Sequence, residues 1–146
     1  MQVQTRIEIS DAEWEVMRVV WSLGAATSHD MITALREKMN WKDATVKTLI
    51  GRLVKKGALT TEKKGRAFIY HPTIEEQAAI DDATTSLFHH LCRMRQGQAV
   101  SNLIDDLTLT QGDIERLQAQ LAKKLETAPV GVTCDCLPAD FEMQCD

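Results

Sequence analysis

The chain has 146 residues, 44% hydrophobic and 26% charged, which is typical of a soluble globular protein with one or two small domains. No apolar run approaches the ~20 residues of a membrane-spanning helix and no signal peptide opens the chain, so we expect a cytoplasmic protein without a membrane partner. The net charge of −4 conceals an asymmetry, because residues 1–72 carry 12 basic and 8 acidic side chains, whereas residues 73–146 carry 5 and 13. The negative net charge of the whole chain therefore does not exclude nucleic-acid binding by residues 1–72.

Two short helices are predicted first. Ser10 and Glu13 form a Ser-x-x-Glu capping box for the first helix, which we expect to end at Gly24. Thr27 or Ser28 can cap the second. Apolar residues recur at helical spacing in both, so each helix has one face to bury. The predicted inward residues are Trp14, Met17, Val20 and Trp21 in the first helix and Met31, Ile32, Leu35 and Met39 in the second.

The third predicted helix lies within Trp41–Gly57 and has two contrasting faces. Asp43 can cap its start. One face is an apolar stripe that must be buried, and the other carries small residues, hydroxyls and cations that suit close approach to a polyanion. Taken alone, that polar face equally fits an ordinary solvated helix. The stripe contains Val46, Leu49, Ile50, Leu53 and Val54, and the polar face contains Ala44, Thr45, Lys47, Thr48, Gly51, Arg52 and Lys55.

Two β-type runs, Leu59–Lys63 and Arg66–Tyr70, flank Lys64-Gly65 and predict a hairpin with a basic tip. Three short helices followed by a hairpin are typical of a winged helix-turn-helix, in which the third helix reads the major groove of DNA. The hairpin can contact phosphates, close the small core, or do both. The predicted contacts are Ala44, Thr45, Lys47 and Thr48 for base edges, and Lys42, Arg52, Lys55, Lys56, Lys63, Lys64 and Arg66 for phosphates.

The residues after the hairpin predict further helices. Thr73 and Glu76 form a capping box for a long helix with a coiled-coil-like seam, which Gly97 interrupts. A short helix covers Val100–Leu107, and Thr110 caps a last one. We expect these helices to pair with a second chain in a twofold dimer; packing within one chain is the alternative. The seam contains Ile80, Ala83, Leu87, Leu91 and Met94, and the last stripe contains Ile114, Leu117, Leu121 and Leu125.

The tail, Ala128–Asp146, holds three of the four cysteines. In a cytosolic chain such a group indicates metal or redox chemistry rather than structural disulfides. Cys134 and Cys136 share one side of an extended segment and can reach the same ion. Soft sulfur ligands select Cu(I), whereas Zn(II) prefers four ligands in a tetrahedron. The predicted metal ligands are Cys134, Cys136, Cys145 and, more weakly, Met143, with Asp135, Asp146, water or a partner chain as completions of a zinc site.

The fourth cysteine, Cys92, falls in the long predicted helix near His89. We interpret it as a small buried hydrophobe rather than a ligand. His89 and His90 are interpreted as helix surface and core, and His71, at the end of the hairpin, as structural.

With these features the chain resembles the winged-helix repressor family that includes the penicillinase, methicillin-resistance and copper-responsive CopY-type repressors. The resemblance spans roughly residues 8–126. It implies a mainly α protein with a winged helix-turn-helix DNA-binding domain (1–72), a helical dimerisation region (73–127) and a metal-binding tail (128–146). It also implies a homodimer on palindromic double-stranded operator DNA. The matching segments are AEWEVMRVVW (12–21), WKDATVKTLIGRLVKKG (41–57), GRAFIYHP (65–72) and LTQGDIERL (109–117).

The tail distinguishes two branches of that family. Penicillinase-type repressors are inactivated by proteolysis at an Asn-Phe pair, and the corresponding pair here is Asn102-Leu103. Copper-type repressors have a tail with two Cys-x-Cys pairs, and here Met143 replaces the third cysteine. The resemblance therefore implies a repressor of copper homeostasis genes that Cu(I) releases from its operator. In that branch Zn(II) supports DNA binding, and a copper chaperone is a candidate metal donor.

Two other functional classes fit the residues less well. A metal-buffering protein would not need the basic third helix and hairpin. An enzyme is disfavoured because we find no paired carboxylates, nucleophile constellation or phosphate-binding glycine loop. Thiol redox chemistry remains the alternative for the tail.

Overall fold

A computed structural model describes residues 6–142 and is mainly helical, with one small three-stranded sheet. The predicted Met143 and Cys145 ligands lie outside the described residues. Two compact units divide between Thr84 and Thr85. Within residues 6–142, no helix combines the length and the apolar character needed to cross a membrane.

The first unit contains helices and short strands, the helix Glu76–His89 spans the boundary between the two units, and the elements after it are helical. The 3-10 turn, Arg93–Arg95, directly precedes α5. In chain order the elements are α1 Asp11–Leu23, β1 Ala26–Thr27, α2 Ser28–Met39, α3 Asp43–Lys56, β2 Leu59–Lys64, β3 Ala67–Pro72, α4 Glu76–His89, α5 Gln96–Asp106 and α6 Gln111–Leu125.

The predicted apolar stripes of α1, α2 and α3 meet in one core. That core confirms the helix-turn-helix pattern, since the spacing put the same side chains on the inner faces. Met39 was predicted to point inward but is 37% exposed, because it ends α2 just before Asn40, whose φ of 56° turns the chain away. Trp21 is partly buried, and its Nε1 donates to the Ile74 carbonyl oxygen at 2.9 Å. The buried predicted residues are Met17, Val20, Met31, Ile32, Leu35, Val46, Leu49, Ile50 and Leu53.

The sheet has the order β1-β3-β2 with antiparallel pairing throughout. The predicted hairpin is confirmed, and its strands run in register from Leu59↔Pro72 to Lys64↔Ala67. Gly65 turns the chain at the tip with φ of 63°, a conformation that favours glycine. The two-residue β1 was not predicted, because so short a strand has no periodicity to detect. Phe68 is 50% exposed, so not every apolar residue of the hairpin faces the core.

Two helix starts differ from the predicted caps. Asp43 does not cap α3, since Lys42 is the N-cap and Asp43 is the first helical residue. Thr73 does not cap α4: its backbone N–H donates to the Ala58 carbonyl at 3.0 Å and its hydroxyl to the Gly57 carbonyl at 2.6 Å. The carbonyls of Gly57 and Ala58, just after the last residue of α3, engage Thr73 instead.

The prediction of one long helix carrying the seam residues up to Met94 was wrong in its length. α4 ends at His89, the chain turns through Cys92, and the 3-10 turn leads into α5. Gly97 lies in the first turn of α5 rather than interrupting a helix. The predicted start of α6 is confirmed, because the Thr110 hydroxyl accepts from the Asp113 backbone N–H and the Asp113 carboxylate accepts from Thr110.

The second unit leaves most of its apolar side chains exposed. Neither α5 nor α6 contains a buried residue among the described part of the chain. The large apolar residues exposed on these two helices are Val100, Leu103, Ile104, Ile114, Leu121 and Leu125, and Leu107, which follows α5, is exposed as well.

Candidate DNA-binding face and metal centre

The structure presents one continuous polar face on α3. Burial of Val46, Leu49, Ile50 and Leu53 against α1 and α2 fixes the rotation of the helix, so the opposite face points to solvent. In the part of the chain that the structure describes, no ion pair engages the basic residues of this face. The exposed residues are Lys42, Ala44, Thr45, Lys47, Thr48, Gly51, Arg52 and Lys55.

Thr48 has a fixed hydrogen-bond role on this face. Its hydroxyl donates to the Ala44 carbonyl oxygen at 2.9 Å, within the same helix. With its proton used in this way, the hydroxyl oxygen can still accept, and the side-chain methyl stays exposed. An amino group on a base edge and a thymine methyl are the partners that this arrangement fits.

Arg36 is a neighbour of this face that sequence reasoning missed. Its guanidinium donates to Asp43 Oδ1 at 2.7 Å, and this hydrogen bond lowers the pKa of Asp43 below its ordinary 3.8. Asp43 is the one acid of α3, and the pairing compensates a negative charge that would otherwise repel phosphate. An Arg seven residues before an Asp was the available signal, but only the turn between α2 and α3 brings the two together.

Gly51 has no packing explanation within the described chain. A Cβ added there would meet no atom within 4 Å, and Gly51 lies in ordinary helical conformation. Glycine in a helix interior costs about 1 kcal/mol relative to alanine. Neither the core nor the backbone therefore requires glycine at this exposed position.

The hairpin tip carries the predicted basic residues into solvent. Lys63, Lys64 and Arg66 are exposed around the Gly65 turn. Below the tip, the His71 Nε2 and Glu62 Oε2 atoms lie 2.8 Å apart across β2 and β3, which gives His71 the structural role that was predicted for it.

Lys56 was predicted to contact phosphate, but the structure gives it a different role. Its Nζ donates to Glu13 Oε1 at 2.8 Å and to the Glu8 carbonyl oxygen at 2.9 Å. Glu13 is only 2% exposed, and its carboxylate also accepts from the Ser10 hydroxyl at 2.8 Å. Burial raises the pKa of Glu13, but the hydrogen bonds from Lys56 and Ser10 outweigh burial and leave that pKa below its ordinary 4.5. Lys56 thus stabilises a buried carboxylate. Of the predicted capping box, the structure forms the half in which the Ser10 hydroxyl accepts from the Glu13 backbone N–H, at 3.3 Å.

Three sulfur atoms meet in the second unit. We call Cys92, Cys134 and Cys136 the thiol cluster; their Sγ atoms all lie within 4.8 Å of one another. The Cys92 and Cys134 Sγ atoms are 3.7 Å apart, well beyond the ~2.05 Å of a disulfide bond. The predicted pair Cys134 and Cys136 is therefore brought together, and Cys92, interpreted from sequence as a small buried hydrophobe, joins it.

The tail is held beside Cys92 by a second contact. Asp135 Oδ1 accepts from the Arg93 backbone N–H at 3.0 Å, and this hydrogen bond lowers the pKa of Asp135 below its ordinary 3.8. The sequence offered Asp135 as one possible ligand to complete a zinc site, but in the structure its carboxylate binds the backbone of the 3-10 turn. The backbone N–H of Cys136 donates to the Cys134 sulfur at 3.4 Å, which curls the Cys-x-Cys segment around the cluster.

The thiol cluster suits a soft cation. Hydrogen bonds with Cys134 and then Cys92, followed by burial and by smaller charge repulsion from the same two sulfurs, raise the pKa of Cys136 to about 12. A bound cation reverses that balance, since it favours the thiolate forms. Thiolates suit Cu(I). The 3.7 Å sulfur separation also matches the ~3.8 Å between two sulfurs on a tetrahedral Zn(II) ion with ~2.3 Å bonds. Zn(II) fits less completely, because it needs a fourth ligand beyond these three.

The histidines near the cluster are placed elsewhere. His90 Nδ1 lies 2.6 Å from the Ser86 carbonyl oxygen, and both His89 and His90 are exposed. Within residues 6–142, the candidate metal-binding group consists of the three cysteines alone.

Comparison with known proteins gives consistent matches. The family model described as Penicillinase repressor matches residues 9–123. An uncharacterised 16.5 kDa protein from the ptsI 3′ region of Latilactobacillus sakei is 57% identical over 131 residues, 90% of each chain. The penicillinase repressor of Bacillus licheniformis is 34% identical over 110 residues, 75% of this chain and 86% of the relative. Among solved structures, monomeric Bacillus licheniformis BlaI in complex with the blaP half-operator is 42% identical, with a TM-score of 0.45, and the match covers 49% of this chain and 89% of that one.

Proposed function

Because this chain belongs to the penicillinase repressor family of DNA-binding transcriptional repressors, which are not enzymes, we propose that it is a copper-responsive repressor. It acts in the cytoplasm as a homodimer on a palindromic operator of copper homeostasis genes, and Cu(I) bound by the C-terminal cysteines releases it. The observation that carries the copper response is the thiol cluster, in which sulfur atoms from the tail lie within 4.8 Å of one another.

Operator reading is assigned to α3. Its first turns, with Ala44, Thr45, Lys47 and Thr48, face base edges in the major groove. Lys42, Arg52 and Lys55 contact phosphates on either side, and Lys64 and Arg66 at the hairpin tip contact the backbone beside the groove. Exposure of all these side chains, and the absence of ion pairs to them among the described residues, supports this assignment.

The homodimer is assigned to the second unit. The apolar residues of α5 and α6 are exposed in the single chain, and contiguous exposed apolar surface is typical of a protein interface. A twofold pairing would bury the same surface on both chains. It would also place two α3 helices on two half-sites about one DNA turn apart.

The response to metal is assigned to the cysteines rather than to the histidines or acids. The tail thiols Cys134 and Cys136 are soft ligands for Cu(I), with Cys145 and Met143 as further sulfur donors outside the described residues. Zn(II) would bind with one more ligand from the tail, water or the partner chain. A copper chaperone is the proposed metal donor.

The second candidate function is a penicillinase-type repressor that proteolysis inactivates. The pair Asn102-Leu103 lies inside α5, where the backbone is helical. Proteolytic nicking favours exposed loops over helices, so cleavage there needs local unfolding first. This placement, together with the thiol cluster, favours the copper response.

The test is a mobility-shift titration of the full-length chain on its operator, isolated by selecting bound duplexes from a randomised palindromic library. We expect Cu(I) to dissociate the protein from the operator, and Zn(II) to leave the operator affinity unchanged or increase it. The Cys134→Ser/Cys136→Ser double variant should bind the operator normally but ignore Cu(I). A complex that persists in excess Cu(I), or release that is unchanged in the double variant, would contradict the proposal.

A further inference from the structure

Cys92 lies at a break between helices. α4 ends at His89, and Cys92 occupies the position before the 3-10 turn Arg93–Arg95 with an extended backbone (φ −51°, ψ 128°). If the helix had continued to Met94, as the apolar spacing predicted, Cys92 would lie on the side of that helix. The turn instead directs its sulfur to 3.7 Å from Cys134, a residue 42 positions further along the chain.

The meeting of these sulfurs does not depend on one contact. Asp135, between the two tail cysteines, accepts from the Arg93 backbone N–H, next to Cys92. Cys136 donates its backbone N–H to the Cys134 sulfur. The bond from the Arg93 backbone N–H to the Asp135 carboxylate holds the Cys-x-Cys segment beside the turn that follows α4, and the Cys136–Cys134 bond shapes the segment itself.

The partial burial of the cluster distinguishes its members. Cys92 and Cys134 are half-buried, whereas Cys136 is exposed. An ion can therefore enter from the Cys136 side while the inner two thiols already face it. Each thiol that binds the ion loses its proton to solvent, and the cation offsets the repulsion among the resulting thiolates.

From these contacts we infer that Cys92 is a ligand of the same ion as Cys134 and Cys136, so that metal binding ties the tail to the turn after α4. The inference deepens the proposed function and rests on it, since it assigns the ligands of the copper site. It also gives the ion a structural consequence: a link between Cys92 and Cys134 closes a loop that contains α5 and α6. Closing such a loop restricts the unfolded chain and stabilises the folded one.

The first experiment compares Cu(I) affinity among full-length variants in competition with a chromogenic Cu(I) chelator. Losing even an outer partner that orients a metal ligand costs about 10–100-fold in affinity. We therefore expect Cys92→Ser to weaken Cu(I) binding by about 100-fold or more. Thr133→Ser is the control, because it changes an exposed tail residue next to Cys134 that carries no sulfur, and its Cu(I) affinity should match that of the parent chain. Cys145→Ser is compared separately, because Cys145 is itself a proposed sulfur donor.

The second experiment needs no variant and so does not depend on how Cys92→Ser folds. The parent chain is alkylated with and without one equivalent of Cu(I), and the modification of each cysteine is read by mass spectrometry. Cu(I) should protect Cys92 as fully as Cys134 and Cys136. Thermal unfolding of the unalkylated parent chain should show a Tm that rises with added Cu(I).

The outcomes separate the two proposals. Full Cu(I) affinity in Cys92→Ser, with Cys92 alkylated equally in both samples, would overturn the role of Cys92 while leaving copper release intact. A loss of affinity in both Cys92→Ser and Cys145→Ser would keep Cys92 among the ligands and add a fourth. Normal affinity in Cys134→Ser/Cys136→Ser would overturn the copper site and the proposed function together.

Discussion

The two units of this protein use their apolar residues in opposite ways. Every buried hydrophobic side chain in residues 6–142 lies between Val16 and Ala79, in the helices and strands around the three-helix core. The helices α5 and α6 have the same kind of apolar periodicity, yet they bury none of their residues. An apolar stripe therefore predicts that a helix face will be covered, but not whether the cover comes from the same chain.

The largest expected effect is on the core of the first unit. Leu35 is fully buried among α1, α2 and α3, so Leu35→Ala removes buried methyl groups and leaves a cavity. We expect a loss of about 2–5 kcal/mol in the free energy of unfolding, independent of protein concentration. Urea denaturation at two protein concentrations measures both quantities. A loss below about 1 kcal/mol would mean that the first unit is not the self-contained core described above.

The next effect is on the second unit. Leu121 is 56% exposed on α6, so Leu121→Asp should cost the single chain little. In the proposed dimer it would bury a charge, and we expect dimer affinity to fall by at least about tenfold. Sedimentation over a concentration series gives the dissociation constant, with Gln118→Ala, at another exposed position of α6, as the control. If Leu121→Asp dimerises like the parent chain, the exposed face of α6 is not the interface.

A third prediction concerns the ion pair that joins α3 to α1. Lys56→Met leaves the Glu13 carboxylate buried without its cation, and we expect a loss of about 1–3 kcal/mol at pH 7. Lys55→Met is the matched control, because Lys55 is exposed and has no ion pair within residues 6–142. Chemical denaturation of both variants checks the difference, and equal stabilities would remove the structural role given to Lys56.

The same pair predicts a pH dependence. The pKa of Glu13 is lower in the folded chain than its ordinary 4.5, so its ionised form contributes stability above about pH 4.5. That contribution is lost as pH falls below 4.5 and through the lowered folded pKa. The stability difference between the parent chain and Glu13→Gln should therefore shrink as pH is lowered through this range, and a difference that stays constant would exclude a linkage to Glu13.

The sequence predicted most of the first unit because its signals are local. Buried stripes such as Val46 to Leu53 and the Gly65 turn act within a few residues, and the structure confirms them. Wrong predictions came from competition between local and distant partners. Thr73 had a helix to cap but found the carbonyl of Gly57, and the seam spacing continued past the point where α4 ends.

The cysteines of the metal centre show the same contrast between local signals, which the sequence reveals, and distant contacts, which it does not. Cys134 and Cys136 were recognisable because their spacing alone puts both sulfurs within reach of one ion. Cys92 lies 42 residues earlier than Cys134, and its position in an apolar seam favoured a core residue. Only the turn after α4 and the Asp135 contact bring it to the cluster. The sequence signal available for Cys92 was that it is a further cysteine in a chain whose tail is rich in sulfur ligands.

The smallest expected effect is the sharpest test of the polar face of α3. Gly51→Ala fills open space in a helix and should stabilise the free protein by about 1 kcal/mol. If α3 lies as deeply in the major groove as we propose, the added methyl group should also weaken operator affinity while leaving the salt dependence unchanged, because no phosphate contact is lost. Gly97→Ala is the matched control, since a Cβ there also meets open space, in a helix assigned to the dimer rather than to DNA. Gain of stability without loss of operator affinity in Gly51→Ala would mean that this part of α3 stays clear of the bases, and that the reading contacts lie nearer its first turn.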